Sequence, residues 1–308
     1  MEGLSCKGLS KTYEGKVKAL SNVSFSFPEK GIVAIIGRNG AGKTTLVRIL
    51  ATELMPSKGT ASIHGIDVVK EPKKVREMMA IVPQEARAIP WLTPRQTIFC
   101  YLLYRGFSHS EAAKHVEDSL RKLNLECYTD VVNRKLSGGI KRKVLVATVL
   151  ASEAKVLFLD EPTTGLDPIS RNDLWRVLNE LKKEYLIVLT THYLEEAERL
   201  ADVVGIIEQG RLMAFGTIDE LRSMTKHQYS IRINTDKRPA RVAKGSLVNK
   251  LEGGYQIMTS EKDAFRMSEE LIRSGIKFSM NPITLEDIFY YTVKKSPESG
   301  VDDGDGEW

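Results

Sequence analysis

The chain has 308 residues, a formal net charge of +5 at pH 7 and 42% hydrophobic residues. This hydrophobic content is enough for a substantial core and argues against a disordered protein. The three cysteines, Cys6, Cys100 and Cys127, show no paired spacing, which argues against a disulfide framework or a zinc site and favours a reducing compartment. The modest positive charge fits a solvated basic surface and an anionic partner equally well.

No segment of the sequence is typical of a membrane protein. Residues 1–11 lack the apolar core of a signal peptide, and no apolar run approaches the ~20 residues that span a bilayer. The longest candidate, residues 144–151, is typical of a buried element. We therefore expect any role at a membrane to come through a partner.

Apolar runs predict strands through the first part of the chain. Residues 23–27 alternate with period two, whereas residues 31–36 are almost continuously apolar, as in a strand that is buried on both faces. A helical pattern follows over residues 43–54. Further buried strands are predicted at residues 155–159 and 185–189.

Each of the three buried strands leads into residues that can carry out chemistry. The first leads to Gly37, the second to Asp160 and Glu161, and the third to a polar segment that includes His192. Ligands of open α/β sheets bind outside the carboxyl ends of the strands. We expect the three strand ends to line one site.

A phosphate loop is predicted at residues 37–44, which fit the pattern G-x-x-x-x-G-K-[ST] between a strand and a helix. The glycines allow backbone N–H groups to surround phosphates, and the helix points its positive end at them. Lys43 is expected to reach the terminal phosphates of ATP, and Thr44 to hold Mg²⁺. The nucleotide-binding residues predicted here are Gly37, Arg38, Asn39, Gly40, Ala41, Gly42, Lys43, Thr44 and Thr45.

Two acidic residues complete the predicted chemistry. Asp160 ends an apolar strand, where it can anchor the Mg²⁺ shell. Glu161 follows and can orient or deprotonate the attacking water, and loss of such a base typically costs ~10²–10⁴ in rate.

The segment Leu136-Ser137-Gly138-Gly139, hereafter the signature segment, precedes a predicted helix and lies shortly before the acidic strand end. It resembles the signature motif of the ATP-binding-cassette (ABC) ATPases. Other family motifs follow in the family's order, and the resemblance covers about residues 4–220. The residues that match are Tyr13, Gln84, Gly165-Leu166-Asp167 and His192.

The resemblance implies an α/β fold with a P-loop NTPase core of the ABC ATPase type and an antiparallel β subdomain. We expect a nucleotide-binding domain at residues 1–225, with a helical insertion at about residues 85–136. A small C-terminal α+β accessory domain is expected at residues 226–295 because strand and helix patterns return there. Residues 296–308 are acidic and Gly-rich, and we expect them to be disordered.

The resemblance also implies roles for individual residues. Tyr13 is expected to stack on adenine, and Ser137, Gly138 and Gly139 to bind nucleotide at a helix N-terminus. The implied catalytic residues are Lys43, Gln84, Glu161 and His192. The implied Mg²⁺ ligands are Thr44, Gln84 and Asp160. Two such domains would lie head to tail, each ATP held between one phosphate loop and the opposite signature segment, most naturally as a homodimer.

Two segments look like those of exporter ATPases for drugs, lipids or polysaccharides. They are residues 191–198 and residues 284–289, and the second fits a capped helix of the accessory domain equally well. Ile140 departs from the glutamine that many family members carry, which we interpret as a mark of the subgroup. Residues 89–92, hereafter the coupling segment, are apolar and fit either a docking surface for a membrane subunit or the core of the insertion.

The sequence thus predicts an ATP-hydrolysing subunit of an ABC transporter, with ATP and Mg²⁺ as its cofactors. A separate integral-membrane permease subunit is the expected partner, at the cytoplasmic face of the membrane, with no nucleic acid. The alternative is a soluble ABC ATPase that acts on nucleic acid or the ribosome. A small-molecule kinase with the same loop is a third class, against which the signature segment and His192 argue.

Overall fold

The computed structural model describes residues 2–235 and 242–294. The predicted acidic tail, residues 296–308, lies outside the described residues. The chain divides into two compact units, residues 1–215 and residues 216–308. The predicted domain boundary after residue 225 lies ten residues further along the chain (225 − 215).

The described part of the chain contains both strands and helices. The strands are β1 (Glu2–Thr12), β2 (Lys18–Pro28), β3 (Gly31–Ile36), β4 (Lys58–Ile63), β5 (Ile66–Asp67), β6 (Met79–Val82), β7 (Val156–Asp160), β8 (Leu186–Thr191), β9 (Val203–Glu208), β10 (Arg211–Gly216), β11 (Tyr229–Ile233), β12 (Leu247–Leu251), β13 (Gly254–Thr259) and β14 (Phe278–Pro282). The helices are α1 (Lys43–Leu50), α2 (Pro72–Met78), α3 (Pro94–Tyr104), α4 (His109–Lys122), α5 (Gly138–Leu150), α6 (Pro168–Leu181), α7 (Leu194–Leu200), α8 (Ile218–Met224), α9 (Glu261–Arg273) and α10 (Leu285–Lys294).

The first unit contains two sheets that share a core. One is a four-stranded antiparallel sheet in the order β2-β1-β4-β5, and the other is a six-stranded sheet in the order β10-β9-β3-β8-β7-β6. From β9 to β6 the second sheet is parallel. Every residue of β3, β7 and β8 is buried, as the apolar runs predict for strands that are covered on both faces.

The order of the parallel strands positions the site. β3, β8 and β7 are direct neighbours, with Ile36 paired to Thr191 and Asp160 to Thr190. Their carboxyl ends therefore meet at one edge of the sheet, as predicted. β6 is the next neighbour, so that Gln84, two residues beyond its last residue Val82, reaches the same edge.

The insertion between β6 and β7 is helical, as predicted. α3, α4 and α5 pack on one another, and α4 begins with a capping box at Ser108. The Ser108 hydroxyl accepts a hydrogen bond from the Glu111 N–H at 3.3 Å, and the Glu111 carboxylate accepts one from the Ser108 N–H at 2.9 Å. Such a reciprocal pair satisfies two backbone donors that the first helical turn leaves free.

The prediction that the first helix continues to residue 54 is wrong, because α1 ends at Leu50. Thr52 adopts a left-handed conformation with φ of 61°, which interrupts the helical path. The N–H groups of Glu53 and Leu54 both donate to the carbonyl of Arg48, at 2.8 and 3.1 Å. The chain thus closes the helix end with local hydrogen bonds instead of adding another turn.

The second unit is α+β, as predicted for the accessory domain. Its antiparallel sheet has the order β12-β13-β11-β14, and Ile231, Ile233 and Ile257 form its core with residues of α9. The Thr284 hydroxyl and N–H both donate to Asp287, each at 2.9 Å, and the Asp287 N–H donates back at 3.3 Å. Residues 284–289 therefore begin a capped helix of this unit.

Among the residues that the structure describes, there is no helix whose length and apolar character would let it cross a bilayer.

Candidate ATP site

The phosphate loop follows β3 directly and leads into α1. Lys43 is almost fully buried, and its ammonium donates to the carbonyls of Gly37 and Arg38 at 2.8 and 3.2 Å. A side chain at Gly37 would come within 2.2 Å of the Ile207 carbonyl oxygen. At Gly42, where φ is +110°, it would come within 2.4 Å of the Ala19 carbonyl oxygen. The loop therefore requires glycine at both positions.

Carboxylates surround the Lys43 ammonium. Burial lowers the pKa of Lys43, and the negative charges of Glu161, Asp160 and Glu208 oppose that effect. Glu208 Oε2 is buried and has no hydrogen-bond partner among the residues that the structure describes. In this environment the Lys43 ammonium can exchange its hydrogen bonds to the loop carbonyls for hydrogen bonds to phosphate oxygens.

Three of the predicted catalytic residues meet at one oxygen atom, Oε2 of Glu161. Gln84 Nε2 donates to it at 3.0 Å, and His192 Nδ1 lies 3.2 Å from it. The Thr164 hydroxyl donates to the same oxygen at 3.1 Å. Glu161 itself is buried, with 7% of its surface exposed. Gln84 and His192, which lie 77 and 31 positions from Glu161 in the sequence, thus hold its carboxylate in place.

The backbone around Glu161 is held in an unusual conformation. Its φ is 46°, in the left-handed region that non-glycine residues rarely adopt. The Glu161 N–H donates to both the carbonyl and the hydroxyl of Thr190, each at 3.1 Å. The Thr190 hydroxyl also donates to the Asp160 carboxylate. Sequence reasoning assigned no role to Thr190 or Thr164, although Thr190 lies in the polar segment before His192 that it singled out.

Many predicted residues line one cavity of about 460 Å³ above the phosphate loop. The residues around this cavity are Ala19, Asn39, Gly40, Gly42, Lys43, Thr44, Thr45, Gln84, Glu161, Thr164 and His192. Gly37, Arg38 and Ala41 lie in the same loop without lining the cavity. Tyr13 is 36% exposed, and its hydroxyl lies 3.3 Å from the Thr45 hydroxyl, which places its ring beside the first turn of α1.

The signature segment lies at the start of α5, and none of its residues lines the phosphate-loop cavity. Ser137 caps α5, since its hydroxyl accepts a hydrogen bond from the Ile140 N–H at 3.3 Å. Ser137 and Gly138 are exposed, whereas Gly139 is buried. The structure thus brings the predicted catalytic residues together but leaves the signature segment outside their cavity.

Gly139→Ala is expected to destabilise the protein by ~1–3 kcal/mol, because the added methyl overpacks its surroundings. It would come within 2.3 Å of the Ser170 hydroxyl, which donates at 2.6 Å to Asp167, the cap of α6. Gly138→Ala is the matched control, because nothing lies within 4 Å of a side chain there. Urea unfolding without nucleotide would measure both. Equal stability of the two variants would contradict this packing.

A buried carboxyl group lies four residues after His192 in the sequence. Glu196, on α7, is fully buried and accepts a hydrogen bond from the Trp175 indole at 3.0 Å. Burial raises the pKa of Glu196, and the hydrogen bond from the Trp175 indole opposes that effect. A carboxyl group that keeps its proton in the folded state makes stability depend on pH.

Glu196→Gln is expected to remove this dependence. Above the ordinary glutamate pKa of 4.5, the unfolded chain ionises at this residue while the folded chain retains the proton. The unfolded chain then binds fewer protons, and the free energy of unfolding falls as pH rises. The melting temperature of Glu196→Gln should therefore rise relative to that of the parent as the pH increases above the ordinary glutamate pKa. Glu195→Gln, a change at an exposed residue, should show no such gain. If the difference in melting temperature between Glu196→Gln and the parent stays constant with pH, the argument is refuted.

The fold and the site define an ATP-binding P-loop ATPase. Residues 20–164 match the family model described as ABC transporter. The daunorubicin/doxorubicin resistance ATP-binding protein DrrA of Streptomyces peucetius is 37% identical over 221 residues, which are 71% of this chain and 67% of that protein. ABC transporter A family member 7 of Dictyostelium discoideum is 38% identical over 232 residues, 75% of this chain and 28% of that protein.

Solved structures agree with these sequence matches. The ATP-binding subunit of an ABC transporter is 31% identical, with a TM-score of 0.63, over 72% of this chain and 93% of that one. A dimeric post-hydrolysis state of the ATP-binding cassette MJ0796, bound to ADP and Pi, is 25% identical, with a TM-score of 0.63, over 70% of this chain and 98% of that one.

The chain therefore belongs to the ABC transporter family, as the signature segment and the accompanying motifs predict. It is an ABC-type ATP-binding and ATPase domain, and its α/β fold class is confirmed. The chain spans from 28% to 35% of the length of three A-family relatives that it matches.

Proposed function

We propose that the chain works in a transporter, most naturally an exporter, by coupling ATP-driven dimerisation to substrate movement through a membrane-spanning subunit on a separate chain. The observation that carries this is the separation of the two halves of the nucleotide site. Lys43, Gln84 and His192 line the phosphate-loop cavity, whereas no residue of the signature segment does; its exposed residues are Ser137 and Gly138, and Gly138 borders a different cavity. A complete site then needs a second copy.

The contacts support individual roles for these residues. Lys43 binds the terminal phosphates, and Tyr13, beside the first turn of α1, stacks on adenine. Glu161 accepts a proton from the attacking water, and Gln84 and His192 hold its carboxylate in place. Ser137, Gly138 and Gly139 bind the phosphates of an ATP molecule held by the partner, at the N-terminus of α5.

The donor set fits Mg²⁺, which prefers oxygen ligands and takes most of its remaining shell from water and phosphates. Asp160 offers a buried carboxylate, and Thr44 and Gln84 both line the cavity. The Gln84 amide nitrogen is engaged by Glu161, which leaves its amide oxygen for a cation. Thr44, Gln84 and Asp160 would hold the ion, which supplies charge neutralisation of the phosphates when bound.

The coupling segment supports a membrane partner. It borders a second cavity of about 980 Å³ that also reaches Gln84 and Glu161. Trp91 is 74% exposed and Ile89 is 42% exposed, so the alternative that these residues form the core of the insertion is wrong. Exposed apolar side chains beside a cavity are typical of an interaction surface. One structural relative, cbiO1, is described as part of the ABC transporter complex cbiONQ.

Trp91→Asp tests this proposal, because a charge in the coupling segment should prevent docking while leaving ATP binding intact. Stripped membrane vesicles from the organism that makes the chain should bind the parent and lose most binding of the variant. Tyr104→Asp is the matched control, since Tyr104 is 90% exposed in the same insertion and does not border the cavity. Equal binding of Trp91→Asp and parent, or equal binding to protein-free liposomes, would overturn a permease partner.

A further inference from the structure

Arg142 is a charged residue in the interior of the first unit. It lies on α5, five residues after Ser137 and therefore ~7.5 Å further along the helix axis. Only 8% of its surface is exposed. Burial lowers the pKa of its guanidinium, and the negative charge of Asp160 opposes that effect. A buried cation is tolerated only where hydrogen bonds compensate for the lost water.

Those hydrogen bonds go to the backbone of three successive residues, hereafter the catalytic loop. Arg142 Nη2 donates to the carbonyls of Asp160 and Glu161 at 3.0 and 3.2 Å, and Nε donates to the carbonyl of Pro162 at 2.7 Å. The planar fork of a guanidinium suits such a set, and an ammonium cannot reproduce it. Arg142 therefore fixes the path of the chain and makes no hydrogen bond to the Glu161 carboxylate.

The path that it fixes is a strained one. Glu161 has its φ at 46°, and such conformations persist only where surrounding contacts determine them. Thr190 holds the amide side of Glu161, as described above, and Arg142 holds the carbonyl side. A shift of Arg142 would move the Glu161 carboxylate away from Gln84 and His192.

The first two turns of α5 consequently have different roles. Its N-terminus presents the signature segment, and its second turn holds the catalytic loop of the same chain. We propose that Arg142 is a positioning residue that transmits nucleotide contact at the signature segment to Glu161 of the same chain, so that the two ATP sites of the dimer are coupled. This inference rests on the proposed function, in which the signature segment contacts the ATP that the partner holds.

The first test is the dependence of ATP hydrolysis on ATP concentration in the full chain. The parent should show a Hill coefficient above 1, with the number of sites, two, as its ceiling. Arg142→Lys should lower kcat at least ~10-fold and bring the Hill coefficient to about 1, with affinity for a fluorescent ATP analogue unchanged. Arg121→Lys, exposed on α4, is the control and should leave both values unchanged. An Arg142→Lys variant that keeps the parent's Hill coefficient would overturn the proposal.

A second test leaves Arg142 intact and so does not depend on the folding of its variant. In a mixed dimer of the parent with Lys43→Ala, at an ATP concentration that fills only the parental phosphate loop, the parent chain holds ATP while its own signature segment faces a vacant site. The proposal predicts a turnover far below half that of the parent dimer. A turnover of one half would overturn it. Failure of the proposed function looks different, because a parent that hydrolyses ATP as a monomer would form no mixed dimer at all.

Discussion

Glu161→Gln is expected to lower ATP turnover by ~10²–10⁴ while ATP binding is retained. The amide has the size of the carboxylate but cannot accept a proton from water. It can still hydrogen-bond with the three side chains that now meet at Oε2, those of Gln84, Thr164 and His192. Single-turnover hydrolysis and binding of a fluorescent ATP analogue would separate the two effects.

Glu184→Gln provides the control for this change. Glu184 is exposed and pairs with Lys122, away from the cavity, so its variant should hydrolyse ATP at the parental rate. Normal turnover in Glu161→Gln would remove Glu161 from its role. A loss of ATP binding in proportion to the loss of turnover would instead assign the residue to nucleotide binding.

Lys43→Ala is expected to weaken ATP binding by about 10- to 150-fold, the range that corresponds to one hydrogen bond between charged groups. The ammonium lies among Glu161, Asp160 and Glu208, and its loss leaves their negative charge facing the incoming phosphates. Repulsion between like charges adds to the lost contact, so we expect the upper part of that range.

Isothermal titration with a slowly hydrolysed ATP analogue would measure this loss. Lys183→Ala, an exposed change at the end of α6, should bind nucleotide as the parent does. Adenosine provides a second control, because it has no phosphates. Its binding should be the same in Lys43→Ala and parent, and a matching loss for adenosine would show that the variant had damaged the loop and not a phosphate contact.

Local sequence pattern was sufficient for the parts of the fold that depend on few residues. The apolar runs of β3, β7 and β8 predict buried strands because each residue faces a covered side of the sheet. β6 was not predicted, since its four residues, Met79–Val82, are too short to show a period. The end of α1 was misplaced because Thr52, rather than an obvious breaker, leaves the helical region.

In the candidate site, too, sequence pattern predicts the local features but not those that depend on tertiary contacts. The phosphate loop could be predicted because its glycines and Lys43 are contiguous and its chemistry is local. Arg142, Thr190 and Glu196 could not, because their importance depends on tertiary contacts. Arg142 reads as one of several basic residues in its helix, and only the fold turns it towards the backbone of the catalytic loop.

The central claim is that two copies of the chain enclose ATP between the phosphate loop of one and the signature segment of the other. Sedimentation velocity of Glu161→Gln with ATP and Mg²⁺ tests it most directly. The account predicts a species with twice the 34.5 kDa mass of one chain, which returns to a single chain when Ser137→Arg is added. A Glu161→Gln protein that binds ATP yet sediments as one chain would contradict it.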